Sequence, residues 1–129
     1  KRILRLTNEG IKVSGWVDDV RKTYCSGKVF FAPMTIGSGL QNKLLEAMSL
    51  SIPCITSKLC NESLMGKNME NIIIGNSVED YIKKIIQTLN DVKLRDRIGN
   101  SGRKYVVENF SWESSNKALI KILSDKQSS

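Results

Sequence analysis

Apolar positions along the chain follow two different periods. Val29, Phe30, Phe31 and Ala32 form an unbroken run that stops at Pro33, and a run of that kind reads as a strand buried on both faces. Cys54-Ile55-Thr56 follows Pro53 as another short strand, and Ile72-Ile73-Ile74, closed by Gly75, reads as a buried one. Ile11-Lys12-Val13 is a further strand candidate, ending at Gly15. Between these runs the spacing turns helical. Leu40, Leu44, Ala47 and Met48 recur on one face of a helix that Pro53 ends. Val78, Tyr81, Ile82, Ile85, Ile86 and Leu89 form a second stripe, opened by Ser77 as N-cap with Asp80 in the acidic first turn. Leu94, Ile98, Tyr105 and Val106 mark a helix over 92–108, with Gly99 and Gly102 weakening its middle. Asp18 and Asp19 start a short helix that runs to Tyr24. Ser111 caps a last helix carrying Trp112, Leu119, Ile122 and Leu123, and the chain beyond Asp125 reads as a frayed tail. Residues 57–70 are polar with weak periodicity and read as a loop with room for one helical turn.

Strands that alternate with helices imply βαβ units, hence an α/β fold with a parallel sheet flanked by helices. Residues 1–125 form one domain and 126–129 its tail. In open sheets of this class ligands sit at the carboxyl ends of the strands. The loop between the Val29 run and the Leu40 helix lies at such an end, so residues 34–40 are the first candidate site.

Composition removes several chemistries. The 129 residues contain no His, which excludes a Ser-His-Asp triad, a Cys-His dyad and an imidazole base within this chain. Three cysteines, Cys25, Cys54 and Cys60, include no CxxC pair, so they read as free thiols packed in or near the core, with neither a disulfide framework nor a zinc knuckle. The net charge is +7, but it is dispersed, and aromatic residues make up only 6% without interleaving the basic ones. That pattern lacks the stacking platform of a single-strand binder, and no nucleic-acid partner is expected. No apolar run reaches the length of a membrane span. The chain opens Lys1-Arg2 without an initiator Met and reads as a piece of a longer protein.

Residues 37–48, GSGLQNKLLEAM, combine three features. Gly37 and Gly39 let backbone approach a ligand without side-chain obstruction. The amides of Gly39 and Leu40, placed at the first turn of the helix, would meet an anion together with the positive end of the helix dipole. Glu46, further along the same helix, can accept hydrogen bonds from two vicinal hydroxyls, as a ribose offers. A phosphate and a diol together describe a nucleotide. Each piece also has a plain structural reading: the glycines as a tight connection, Lys43 and Glu46 as an (i, i+3) surface pair.

Residues 32–57, AP-x(3)-GSGLQNKLLEAMSLSIPCITS, resemble the central signature of the retaining GT-B glycosyltransferases of family 4. VSGWVDDV at 13–20 resembles that family's strand–Gly–x–Val–x–Asp segment. Glu70-Asn71-Ile72-Ile73 matches its Asn-containing turn and strand, and Phe110-Ser111-Trp112 its closing motif. The resemblance runs from about residue 11 to residue 124. It implies a doubly wound, Rossmann-like sheet forming the C-terminal half of a GT-B fold without its first βα unit. It also implies a nucleotide-diphosphate sugar as substrate, with its diphosphate on the amides of Gly39 and Leu40 beside Gly37 and Ser38, and its ribose on Glu46. The base would lie against Gly15, Trp16 and Val17. For Trp16 a half-buried packing role competes with stacking on the base, and Tyr24 and Cys25 read as packing.

The resemblance implies no metal and no further cofactor. It implies an acceptor that is a glycan or a lipid-linked sugar, held by a missing N-terminal domain of the same enzyme, and a cytoplasmic placement with peripheral contact at the inner face of a membrane. Two departures stand out. Many members have a glutamate where Ser38 stands, and a hydroxyl lacks the charge-assisted strength of a carboxylate. The basic residue that neutralises the leaving diphosphate lies, in the family, in the segment this chain lacks, and Lys43 is a nearby substitute whose other reading is a solvated helix lysine. No catalytic residue is assigned. A non-catalytic nucleotide-binding or regulatory module of the same fold is the competing reading.

Overall fold

A computed structural model describes residues 5, 7–37, 39–111 and 123–124. Its elements, in chain order, are α1 (Val20–Ser26), β1 (Phe30–Ala32), α2 (Asn42–Ser49), β2 (Cys54–Ser57), α3 (Lys58–Leu64), β3 (Ile73–Gly75), α4 (Val78–Asn90) and α5 (Val92–Phe110). The three strands form a parallel sheet in the order β1-β2-β3, with Phe30 opposite Cys54 and Ile55 opposite Ile73. The α/β class and the parallel sheet expected from the alternating pattern are present.

Strand β2 is central and buried along its whole length. Its alternating side chains serve two cores. Cys54 joins Leu44, Ala47, Met48, Cys60, Leu64, Ile72 and Val106. Ile55 joins Ile73, Leu94 and Ile98. Helix α5 contributes to both, Leu94 and Ile98 to one and Val106 to the other. Its two glycines do not interrupt it. They sit where backbone comes close: a Cβ on Gly99 would lie 2.1 Å from the Ser51 carbonyl oxygen, and one on Gly102 2.9 Å from the Asn71 oxygen. The helix accepts the propensity cost of glycine because only glycine fits against the turn after α2 at 99 and against the Asn71 backbone ahead of β3 at 102.

Several expectations are corrected. Residues 11–13 do not form a strand. Asn8 folds the chain there into a tight turn, its Oδ1 accepting from the amides of Gly10 and Ile11, and among the described residues the pairing is a single Asn8–Ile11 bridge. Those amides are taken by a side chain, and no strand lies alongside among the described residues. Strand β1 is not buried on both faces. Within the described residues it has a neighbour on one edge only, and Phe31 points outward, 42% exposed, against the Tyr81 ring at 5.1 Å. Residues 57–70 are not simply a loop. Ser57 caps α3 by accepting from the Cys60 amide, Cys60 and Leu64 bury one helical face, and Met65 at φ 57° ends it. The stripe on α4 is broader than its contact with the sheet: Val78, Ile82, Ile86 and Leu89 are exposed. Cys25 is exposed rather than packed, while Cys54 and Cys60 are buried and all three are free. Residues 112–122 of the expected last helix, Trp112 among them, and the 126–129 tail lie outside the described residues.

Gly99→Ala is expected to destabilise the chain by about 1–3 kcal/mol or more, the cost of forcing a methyl into packed backbone. Gly15→Ala, where a Cβ would meet nothing within 4 Å, is the control and should be near neutral. Urea denaturation midpoints check this, and an unchanged midpoint for Gly99→Ala would contradict the close approach.

Candidate functional site

Helix α2 is oriented by its buried face. Leu44, Ala47 and Met48 are 0–1% exposed against the sheet and α5. At 100° per residue that setting turns Lys43 and Glu46 away from the core. Both are exposed, and they face different clefts. Glu46 lines a cleft of about 380 Å³ with Asp19, Arg21, Tyr24 and Ser49. Lys43 lines a second, more open one with the 30–36 segment.

The loop from β1 to α2 is shaped by glycine. Gly37 has φ +124° and Gly39 φ +90°, a region L side chains rarely adopt. The loop is tied to the central strand as well. The Thr56 hydroxyl donates to the Ala32 carbonyl at 2.8 Å, and the Ser57 hydroxyl donates to the Met34 carbonyl at 2.6 Å while capping α3. The helix then begins later than the apolar spacing implied. Gln41 is the N-cap, extended at φ −89° and ψ 104°, with no side-chain cap. Gly39 and Leu40 therefore precede the helix instead of forming its first turn. The positive-φ turn and extended Gln41 delay the first helical residue to Asn42, and Leu44 already bonds back to the Gln41 carbonyl. The amides with no intrahelical carbonyl to reach are those of Asn42 and Lys43.

Glu46 is held from the side. Tyr24, at the end of α1, donates its hydroxyl hydrogen bond to Glu46 Oε2 at 3.0 Å. Its ring packs edge-on against Phe30 at 5.4 Å. Burial, with the Glu46 hydrogen bond and charge adding to it, pushes the Tyr24 hydroxyl up to about 12. At the start of α1, Asp19 caps the helix through the Arg21 amide and pairs with the Arg21 guanidinium, whose hydrogen bond holds the Asp19 carboxyl below its ordinary range.

Of the residues singled out from sequence, Glu46 alone lines the cleft beside α1. Gly37, Gly39, Leu40 and Lys43 lie in or just after the β1–α2 loop, and Ser38 lies outside the described residues. Gly15, Trp16 and Val17 have no regular structure, and Trp16 is 93% exposed, which overturns its half-buried packing role. Tyr24 is more than packing. No local pattern marks it: Tyr24 lines the cleft with Val20, but its hydrogen-bond partner lies 22 positions on. Among the described residues no group of three acidic or thiol side chains could hold a metal ion, and no helix is long and apolar enough to cross a membrane.

The Tyr24 ionisation has a sign that can be worked out. Its folded value lies above the ordinary 10, so the stability it contributes is full below pH 10 and is lost as the pH climbs towards 12. In an alkaline absorbance titration, Tyr24→Phe is expected to remove a phenolate transition near 12. Loss of one near 10 instead would contradict the half-buried, carboxylate-facing hydroxyl.

Comparison with known proteins places this geometry in a family. The family model described as glycosyl transferases group 1 matches residues 1–91. The capsular polysaccharide biosynthesis glycosyltransferase CapM of Staphylococcus aureus is 30% identical over 112 residues, covering 82% of this chain and 29% of the relative. The lipopolysaccharide core biosynthesis glycosyltransferase LpsE of Rhizobium meliloti is 26% identical over 119 residues, 90% of this chain and 34% of the relative. The Escherichia coli UDP-Gal:alpha-D-GlcNAc-diphosphoundecaprenol alpha-1,3-galactosyltransferase is 25% identical over 99 residues, 75% of this chain and 25% of the relative. This chain thus spans about a quarter to a third of the length of the curated relatives it matches. With a parallel sheet flanked by helices and a match over most of its length, the chain belongs to the group 1 glycosyl transferases.

Proposed function

We propose that this chain is the donor-binding part of a retaining, family 4-type glycosyltransferase, and that it binds a nucleoside diphosphate sugar along the outward face of α2. The observation that carries this is the position of Glu46. It sits four residues after the first helical residue, so its Cα lies about 6 Å along the axis from that of Asn42 and about 4.5 Å from that of Lys43, the two residues whose amides are free. One nucleoside diphosphate spans such a gap. Its diphosphate meets the helix-terminal amides and the Lys43 ammonium, and its ribose hydroxyls meet Glu46. The base runs towards the segment carrying Gly15, Trp16 and Val17, where the exposed Trp16 indole offers a stacking face.

The transfer step breaks the bond between the anomeric carbon and the diphosphate oxygen. Negative charge builds on the departing nucleoside diphosphate, and preorganised amides and a cation stabilise it there. Gly37 and Gly39 keep the approach free of side chains, and Ser38 occupies the family position that contacts the transferred sugar. The E. coli relative is named for a UDP-sugar donor and a lipid-diphosphate acceptor. By analogy the acceptor of the whole enzyme is a glycan or a lipid-linked sugar bound outside this chain, at a membrane surface. The chain by itself then binds donor without turning it over.

Calorimetric titration of the chain with UDP, GDP and ADP is the test. One nucleotide is expected to bind, and Glu46→Gln to weaken it about tenfold to a hundredfold, the range of hydrogen bonds to a charged acceptor. An absence of binding by all three, or an affinity indifferent to Glu46→Gln, would overturn the proposal.

A further inference from the structure

We infer that Tyr24 is a positioning residue for the Glu46 carboxylate: its hydroxyl ties down Oε2 so that the remaining carboxylate lone pairs are presented to the ribose diol. This inference rests on the donor-binding reading above. A glutamate on an exposed helical face ordinarily samples several rotamers, and its terminal torsion is broad. Glu46 is exposed and is the one carboxylate of α2. Left to itself it would be ordered only on binding, at a cost in affinity. Here a neighbouring helix supplies the order beforehand. The Tyr24 hydroxyl reaches Oε2 at 3.0 Å.

The donor is itself fixed. Tyr24 is half-buried, its ring is edge-on to Phe30 at 5.4 Å, and Phe30 pairs in register with Cys54 of the central strand. The chain of contacts therefore runs from the central, fully buried strand of the sheet to the carboxylate. A tyrosine hydroxyl has one proton to give, and the hydroxyl that burial holds protonated well above neutral pH gives it to Glu46 throughout the physiological range. Glu46 keeps Oε1 entirely, and the second lone pair of Oε2, for ligand. Lys43, the nearest cation on the same helix, lines the other cleft and does not compete for the carboxylate.

A purely structural role, tying α1 to α2, would make the same hydrogen bond. The two roles separate on a ligand without the diol. The wild-type chain, Tyr24→Phe and Glu46→Gln are titrated with UDP, GDP and ADP and with the 2′,3′-dideoxy form of each. Phenylalanine keeps the ring on Phe30 and removes one oxygen. The quantity read is the ratio of ribonucleotide to dideoxynucleotide affinity within each variant, so a change in folding stability cancels. For the nucleotide that binds, Tyr24→Phe is expected to lower this ratio about threefold to tenfold, the net value of a hydrogen bond, and Glu46→Gln to lower it further. An equal loss for both ligand forms, or no loss, with Glu46→Gln still lowering the ratio, would overturn the Tyr24 role and leave the donor site standing. Failure of the wild type to bind, or a ratio unmoved by Glu46→Gln, would overturn the donor site and the Tyr24 role with it.

Discussion

Helix α2 can bury Leu44, Ala47 and Met48 in one rotational setting only, and that setting decides where its chemistry points. The three side chains are essentially inaccessible to water. Rotating the helix by one residue's angle would expose at least one of them and lose about 1.5–3 kcal/mol of burial. The helix is clamped between the sheet and α5, and α5 comes close enough because Gly99 and Gly102 present no side chain. The outward placement of Lys43 and Glu46 is thus a consequence of core packing. A site built this way needs no strain in the residues that carry it.

The same central strand controls the loop and the cleft. Thr56 and Ser57 of β2 hold the backbone of Ala32 and Met34, so the path into the glycine turn is anchored before the turn begins. Gly37 and Gly39 then take up positive φ, and Gln41 enters α2 without a side-chain cap. A capping side chain would have occupied one of the helix-terminal amides. No side chain occupies them at α2, while Ser57, one strand away, caps α3 with its own hydroxyl. The two helix starts near the ends of adjacent strands are therefore treated differently, one closed and one open.

The parts of this architecture with strong periodicity were legible in the sequence. The run at 54–56 forms a strand, the run at 72–74 forms one shifted to Ile73–Gly75, Ser77 caps α4, Asp19 caps α1, and the helix expected over 92–108 forms and reaches Phe110. Failures arose where the deciding partner lies far away in sequence. Whether Phe31 is buried depends on how many strands flank β1, which no local pattern records. The delayed start of α2 depends on backbone torsions at Gly37 and Gly39, whose sign spacing does not reveal. The segment at 11–13 has apolar residues but, among the described residues, no strand to pair with. Spacing alone places Glu46 on the outward face of the helix after the glycine turn, and the structure sets it in the cleft beside α1. Tyr24 reads locally as packing because its partner is Glu46, 22 positions on and on another helix.

The most direct test is nitrogen–proton correlation NMR of the chain, titrated in turn with UDP, GDP and ADP. A donor seated on α2 is expected to shift the amides of Asn42 and Lys43 and those around Tyr24 and Glu46, with the amides of α4 unmoved. Shifts confined to the exposed apolar face of α4, around Val78, Ile82 and Ile86, would contradict a donor site on α2.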